Sequence, residues 1–119
     1  MKNRWVQFLI VAIVGVFMVA ASAAMAADTI KLGVAGPHSG DLASYGIPTV
    51  KAAELVVKEI NAKGGVLGKQ VELLVEDEVC KPEIATNTAT KLVSEGVHVV
   101  LGHICSGATK AALGIYKDS

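Results

Sequence analysis

Ser106 and Tyr45 are the two side chains of this 119-residue chain whose type and position offer chemistry to a small molecule. Ser106 ends a Gly102–Ser106 turn after an apolar strand and stands as the expected N-cap of a helix over 108–116. A hydroxyl there comes with the unpaired backbone N–H groups of residues 107–109 and the positive end of a helix dipole, a setting that accepts an anion, most simply a carboxylate. The plainer alternative is a helix cap with no ligand. Tyr45 lies at the far end of a loop rich in Gly, Pro and Ser, Pro37 to Gly46, where an aromatic ring offers a flat apolar wall. Its alternative is a loop residue packed on the sheet edge.

Other constellations fail on spacing. Gly33, Gly36 and Gly40 suggest a dinucleotide turn, with Glu76 or Asp77 as the ribose acid, but no Gly-x-Gly-x-x-Gly or Gly-Lys-Ser/Thr occurs. Glu76-Asp77-Glu78 reads as a solvated turn at a strand end rather than a cation site. His38, His98 and His103 have no metal-ligand spacing with Cys80 and Cys105. No nucleophile and base come together in the sequence, so the expectation is a binding protein with no catalytic residue, no cofactor and no metal.

The compartment is set by residues 1–26. Lys2 and Arg4 precede an apolar run from Phe8 to Ala21, and small residues lead to Ala24-Met25-Ala26: the order of a secretory signal peptide, cleaved after Ala26. The alternative is an uncleaved anchor, because the stretch approaches the roughly 20 residues that span a bilayer. Much of the 52% hydrophobic content belongs to this leader, as do Trp5 and both Phe residues. Without Lys2 and Arg4, nine of the 11 basic groups remain against 11 acidic ones, a net of −2, which gives no footprint for nucleic acid. In an oxidising space Cys80 and Cys105 favour a disulfide over two reduced thiols.

The elements that position these residues follow from periodicity. Ile30–Gly36 reads as strand 1, and Pro48 marks the first turn of a helix whose apolar stripe is Val50, Ala53, Val57 and Ile60, with Glu54 and Lys58 as an i,i+4 pair. Gly64-Gly65 ends it. Gln70–Glu76 is strand 2, and Pro82 opens a second helix with Ile84, Ala85, Thr88, Ala89, Leu92 and Val93 on one stripe, closed by Gly96. Val97–Leu101 is a third strand, apolar as if covered on both faces, before the helix over 108–116. This alternation predicts an α/β three-layer sandwich with a parallel sheet, and in the order 2-1-3 the Pro37–Gly46 loop and the Gly102–Ser106 turn line one crevice at the strands' carboxyl ends.

Several strings then resemble one family. They are Ile30-Lys31, Ser39-Gly40, Tyr45-Gly46, Ile60-Asn61-Ala62-Lys63-Gly64-Gly65, Asp77 with Cys80, and Gly102-His103-Ile104-Cys105-Ser106. The chain resembles the periplasmic branched-chain amino acid (leucine/isoleucine/valine) binding proteins of ABC transporters. The resemblance implies part of lobe one of a type I periplasmic binding protein, a hinged molecule that closes over a free amino acid in the periplasm and delivers it to a membrane permease. It implies that Tyr45 packs on the ligand, Ser106 bonds its carboxylate, Ile104 and Cys105 help line the side-chain pocket, and Cys80 pairs with Cys105. Gly107-Ala108 replaces a hydroxyl-rich run of close relatives, so another amino acid, an amide or a small carboxylate remains open as ligand.

The chain stops at Asp118-Ser119, after the third helix of the expected lobe. The expectation is therefore a signal peptide, 1–26, followed by a truncated ligand-binding domain, 27–119, that lacks the second lobe and binds weakly by itself. The competing readings are a ligand-sensing receptor domain of the same fold and a nucleotide-binding enzyme domain.

Overall fold

The computed structural model describes residues 28–119; the expected signal peptide and its cleavage site lie outside the described residues. Three parallel strands, β1 (Ile30–Gly36), β2 (Val71–Asp77) and β3 (Val99–Leu101), form a sheet in the order β2-β1-β3. Residues 30–36 of β1 pair in unbroken register with 71–77 of β2, from Ile30 opposite Val71 to Gly36 opposite Asp77. Leu32 to Val34 pair with Val99 to Leu101 on the other side. The expected order and sandwich are thus present.

Helix α1 (Ala43–Ala62) packs on β1 and β2 without touching the other helices, while α2 (Pro82–Ser94) and α3 (Ser106–Lys117) pack together on the opposite face. Small residues let α2 and α3 approach: Ala85 and Ala89 face Ala108 and Ala112 in the core, and all four are fully buried. Leu92 fills the space above β1, where Gly33 has no side chain to obstruct it. On α1 the stripe is buried or half-buried at Val50, Ala53, Val57 and Ile60, as the periodicity requires. The Asn61 side chain clamps Val71 through both backbone groups, each bond 2.8 Å, and so fixes the end of α1 to the start of β2.

Several boundaries differ from the sequence reading. The chain leaves β1 through a short 3-10 turn, Gly40–Leu42, that runs directly into α1, so Pro48 and Tyr45 lie inside the helix. Gly46 explains the early start: a Cβ there would stand 2.0 Å from the Pro37 carbonyl oxygen, so only glycine lets this turn of helix lie against the end of β1. Thr49 Oγ1 donates to the Gly46 carbonyl at 2.6 Å beside the proline. Lys51 bonds Glu54 at 2.8 Å on the exposed face, in place of the expected Glu54–Lys58 pair.

Strand β3 is shorter than expected, because the Val97 N–H closes the end of α2 on the Leu92 carbonyl at 3.1 Å. It is also not covered on both faces. Val99 and Leu101 are 56% and 49% exposed, on the α1 face of the sheet, where α1 packs on β1 and β2 and leaves an open groove over β3. Ile47, Leu55 and Val56 of α1 are exposed as well. Among the described residues no helix is long and apolar enough to cross a membrane.

Candidate ligand crevice

A parallel strand followed by a helix places the helix N-terminus at the strand's carboxyl end, so the starts of α1 and α3 share one end of the sheet. At that end the Cys105 backbone is extended (φ −84°, ψ 129°) and its carbonyl accepts the Thr109 N–H at 2.9 Å. Cys105 is therefore the N-cap, and Ser106 is the first helical residue rather than the cap expected from sequence. The N–H groups without a partner are consequently those of Ser106, Gly107 and Ala108, one position earlier than predicted. Ser106 is exposed and its hydroxyl makes no cap bond.

Tyr45 stands in the first turn of α1, 65% exposed. Ile104, 42% exposed, sits in the turn after β3 and reaches Gly36, where a Cβ would meet Ile104 Cδ1 at 3.4 Å and His38 Nε2 at 3.3 Å. Ile104 also borders an open apolar groove of about 390 Å³ between α1 and β3, formed with Ala35, Ala52, Val56, Leu101 and Gly102. The structure brings Ile104 to this groove; Tyr45 and Ser106 lie outside its lining. Cys80 and Cys105 are joined by a disulfide, Cα–Cα 5.4 Å, which ties the loop after β2 to the start of α3.

The acidic run is not a solvated turn. Glu76 pairs with Lys91 on the surface, but Asp77 Oδ1 accepts the backbone N–H of His38 at 2.8 Å and of Val79 at 3.1 Å, pinning the loop after β1. Burial pushes the Asp77 carboxyl up, yet the Ser39 hydroxyl and the backbone N–H groups of His38, Val79 and Ser39 together hold it below its ordinary value. Glu78 is fully buried, and burial raises its pKa. The cause is geometric: the disulfide two residues on draws the loop inward over the strand ends. Burial also lowers His38, against the pull of Asp77, and lowers His103. Sequence reasoning missed Glu78 and His103; the half-cystine beside each was the available signal that these residues turn inward. No cluster of metal-ligating side chains occurs among the described residues.

The fold and this end of the sheet define part of an α/β binding lobe, with a helix N-terminus and an apolar groove beside a crevice. The family described as periplasmic binding protein matches residues 29–119, and the chain belongs to that family. It is 45% identical over 98 residues to the leucine-, isoleucine-, valine-, threonine- and alanine-binding protein of Pseudomonas aeruginosa, covering 82% of this chain and 26% of that protein. Among solved structures it resembles the branched-chain amino acid transporter substrate-binding protein of Streptococcus pneumoniae in complex with isoleucine: TM-score 0.73, 41% identity, 76% of this chain and 26% of that one. It also resembles an ABC transporter solute-binding protein of R. palustris in complex with benzoate, with TM-score 0.64, 30% identity, and 76% and 25% covered. The chain spans about a quarter of the length of the curated relatives it matches.

Proposed function

We propose that the chain forms the first part of an exported solute-binding protein that captures a branched-chain or similar amino acid outside the cytosol and passes it to an ABC transporter permease. In this reading residues 1–26 direct export and are removed, and the segment from residue 27 supplies one wall of the ligand site. The free N–H groups of Ser106 and Gly107 receive the ligand carboxylate, Tyr45 packs on the ligand, and Ile104 and Cys105 border its side chain. The protein performs no catalysis and needs no cofactor.

The observation that carries the reading is the pairing of an anion-accepting helix start with an apolar groove reached by Ile104, at the carboxyl end of a parallel sheet. An amino acid with an apolar side chain presents those two features in the same proximity. The names of relatives at 41 to 45% identity, binders of leucine, isoleucine and valine, support the same ligand class. The test is chemical: denature the intact protein purified from cells and identify the released small molecule by mass spectrometry. A leucine, isoleucine or valine in near-stoichiometric amount is expected. A nucleotide or an aromatic acid would overturn the assignment.

A further inference from the structure

Three titratable side chains are packed together behind the crevice, and ligand capture as described does not use them. Glu78, immediately after β2, has both carboxyl oxygens buried and no hydrogen bond of ordinary geometry to either, the Cys80 N–H acting on the carboxyl without making one. His103, in the turn after β3, is also buried; its Nδ1 is unpartnered and lies 4.0 Å from Glu78 Oε2. Its Nε2 is 3.0 Å from the Tyr116 hydroxyl on α3. The 4.0 Å gap exceeds a hydrogen bond by about 1 Å, so the two groups are neighbours one side-chain adjustment short of a bond. Unpaired buried polar atoms are costly, so closure is favoured.

Both residues belong to the segments that build the crevice. The Glu78 N–H donates to the Gly36 carbonyl at 3.0 Å, at the end of β1, and its own carbonyl accepts the Lys81 N–H at 2.8 Å. The His103 carbonyl accepts Thr109 Oγ1 at 2.7 Å, in the first turn of α3. His103 immediately precedes Ile104, Cys105 and Ser106.

We propose that Glu78 and His103 are positioning residues: one proton, carried by the Glu78 carboxyl and accepted by His103 Nδ1, locks the turn that holds Ile104 and the free amides of Ser106 and Gly107 toward the ligand. His103 is then the Nε2–H tautomer, donating to Tyr116 Oη. The consequence for affinity rests on the solute-binding reading; the lock itself does not.

The surroundings favour this neutral arrangement. Burial disfavours both charged forms, raising Glu78 and lowering His103. The other groups acting on Glu78 are the Cys80 N–H, which favours the carboxylate, and Asp77 at the end of β2, which opposes it. On α3, Tyr116 is raised first by burial and then by the Glu78 charge. On α2, Glu83 and Lys91 are exposed and act on neither member of the pair. The signs oppose. The Glu78 contribution to stability is complete below its ordinary value of 4.5 and is lost as pH rises through its raised value. The His103 contribution is complete above 6.5 and is lost as pH falls through its lowered value.

The test is imidazole and amide NMR on the intact protein across pH, for the wild type, Glu78→Gln and Glu78→Ala. Between the two transitions His103 should be unprotonated at Nδ1 and protonated at Nε2, and the Ile104–Ser106 amides should shift together as Glu78 ionises at higher pH. Glu78→Gln, whose amide donates to Nδ1 as the neutral acid does, should abolish that shift and bind amino acid within about threefold of the wild type, whereas Glu78→Ala weakens binding about tenfold. A His103 protonated at Nδ1, an unchanged pH-dependent shift in Glu78→Gln, or equal damage from Gln and Ala overturns the proposal. If the wild type binds no amino acid, the functional reading falls, and the tautomer and amide shifts, read without ligand, still decide the lock.

Discussion

Leu92 is fully buried and lies over Gly33, where a Cβ would stand 3.3 Å from both Leu92 δ-carbons and 3.3 Å from Val100 Cγ2. These two residues make a test of how α2 is seated on the sheet. Leu92→Ala removes a closed-packed side chain and leaves a cavity, at a cost of about 3 to 4 kcal/mol. Gly33→Ala alone forces a methyl group into contacts tighter than ordinary packing and should cost about 1 to 2 kcal/mol, the overpacking exceeding the backbone-entropy gain. In the double variant the new methyl enters the space that Leu92 vacated. The contact with Leu92 disappears while the one with Val100 Cγ2 stays, and part of the cavity is filled, so the double variant should be destabilised by about 4 kcal/mol rather than the sum of about 5, a coupling of about 1 kcal/mol. Urea unfolding of the intact protein, with the four members of the cycle compared, reads this directly. Additivity within about 0.5 kcal/mol would show that Leu92 does not rest on Gly33 and that α2 is seated differently.

Three further outcomes follow from the crevice. The Cys80–Cys105 bridge spans 25 residues, so replacing both cysteines by serine should lower stability by about 3.5 kcal/mol in the chain-entropy treatment; a loss below about 1 kcal/mol in denaturant unfolding would contradict it. Gly46→Ala drives a Cβ to 2.0 Å from the Pro37 carbonyl oxygen and must displace α1 from the end of β1, with a melting-temperature drop larger than that of Ala→Ser at exposed Ala52; equal effects would refute the close approach. Asp77 is held below its ordinary value of 3.8, so the stability it contributes is present above that value and lost as pH falls through the lowered one. The wild type should therefore be more stable than Asp77→Asn above that range and lose stability more steeply as pH falls through it, because the variant lacks this proton uptake; an identical acid slope in the two proteins would show that Asp77 does not pin the loop.

The fold was legible where periodicity and punctuation agree. Ile30–Gly36 has the predicted bounds, and the Ala85, Thr88, Ala89, Leu92 stripe is the buried face of α2, because an alternating α/β order leaves few ways to cover a parallel sheet. The start of α1 was not legible, since Pro48 signals a first turn by its own chemistry, while the actual start depends on Gly46 lying against Pro37, a contact between segments. Strand β3 was misjudged for a similar reason: an apolar run reports that a residue can be buried, not that a neighbour covers it. At the site, the helix start after β3 was visible in the Gly102–Ser106 spacing, offset by one residue. Glu78 was read as solvated because a run of three acids has that appearance until the disulfide folds one of them under the strand ends.

The central claim is that this end of the sheet binds the carboxylate of an amino acid with an apolar side chain. Calorimetric titration of the intact protein with leucine, isoleucine and valine, beside benzoate as a contrasting carboxylate and with Ser106→Pro as the comparison, tests it most directly. Proline is tolerated at a first helical position and deletes one of the two exposed free N–H donors together with the hydroxyl. The account predicts saturable one-to-one binding of at least one of the three amino acids with a Kd below the millimolar range, weakened about tenfold or more in Ser106→Pro. Absence of binding to all three, a preference for benzoate, or full affinity in Ser106→Pro would contradict it.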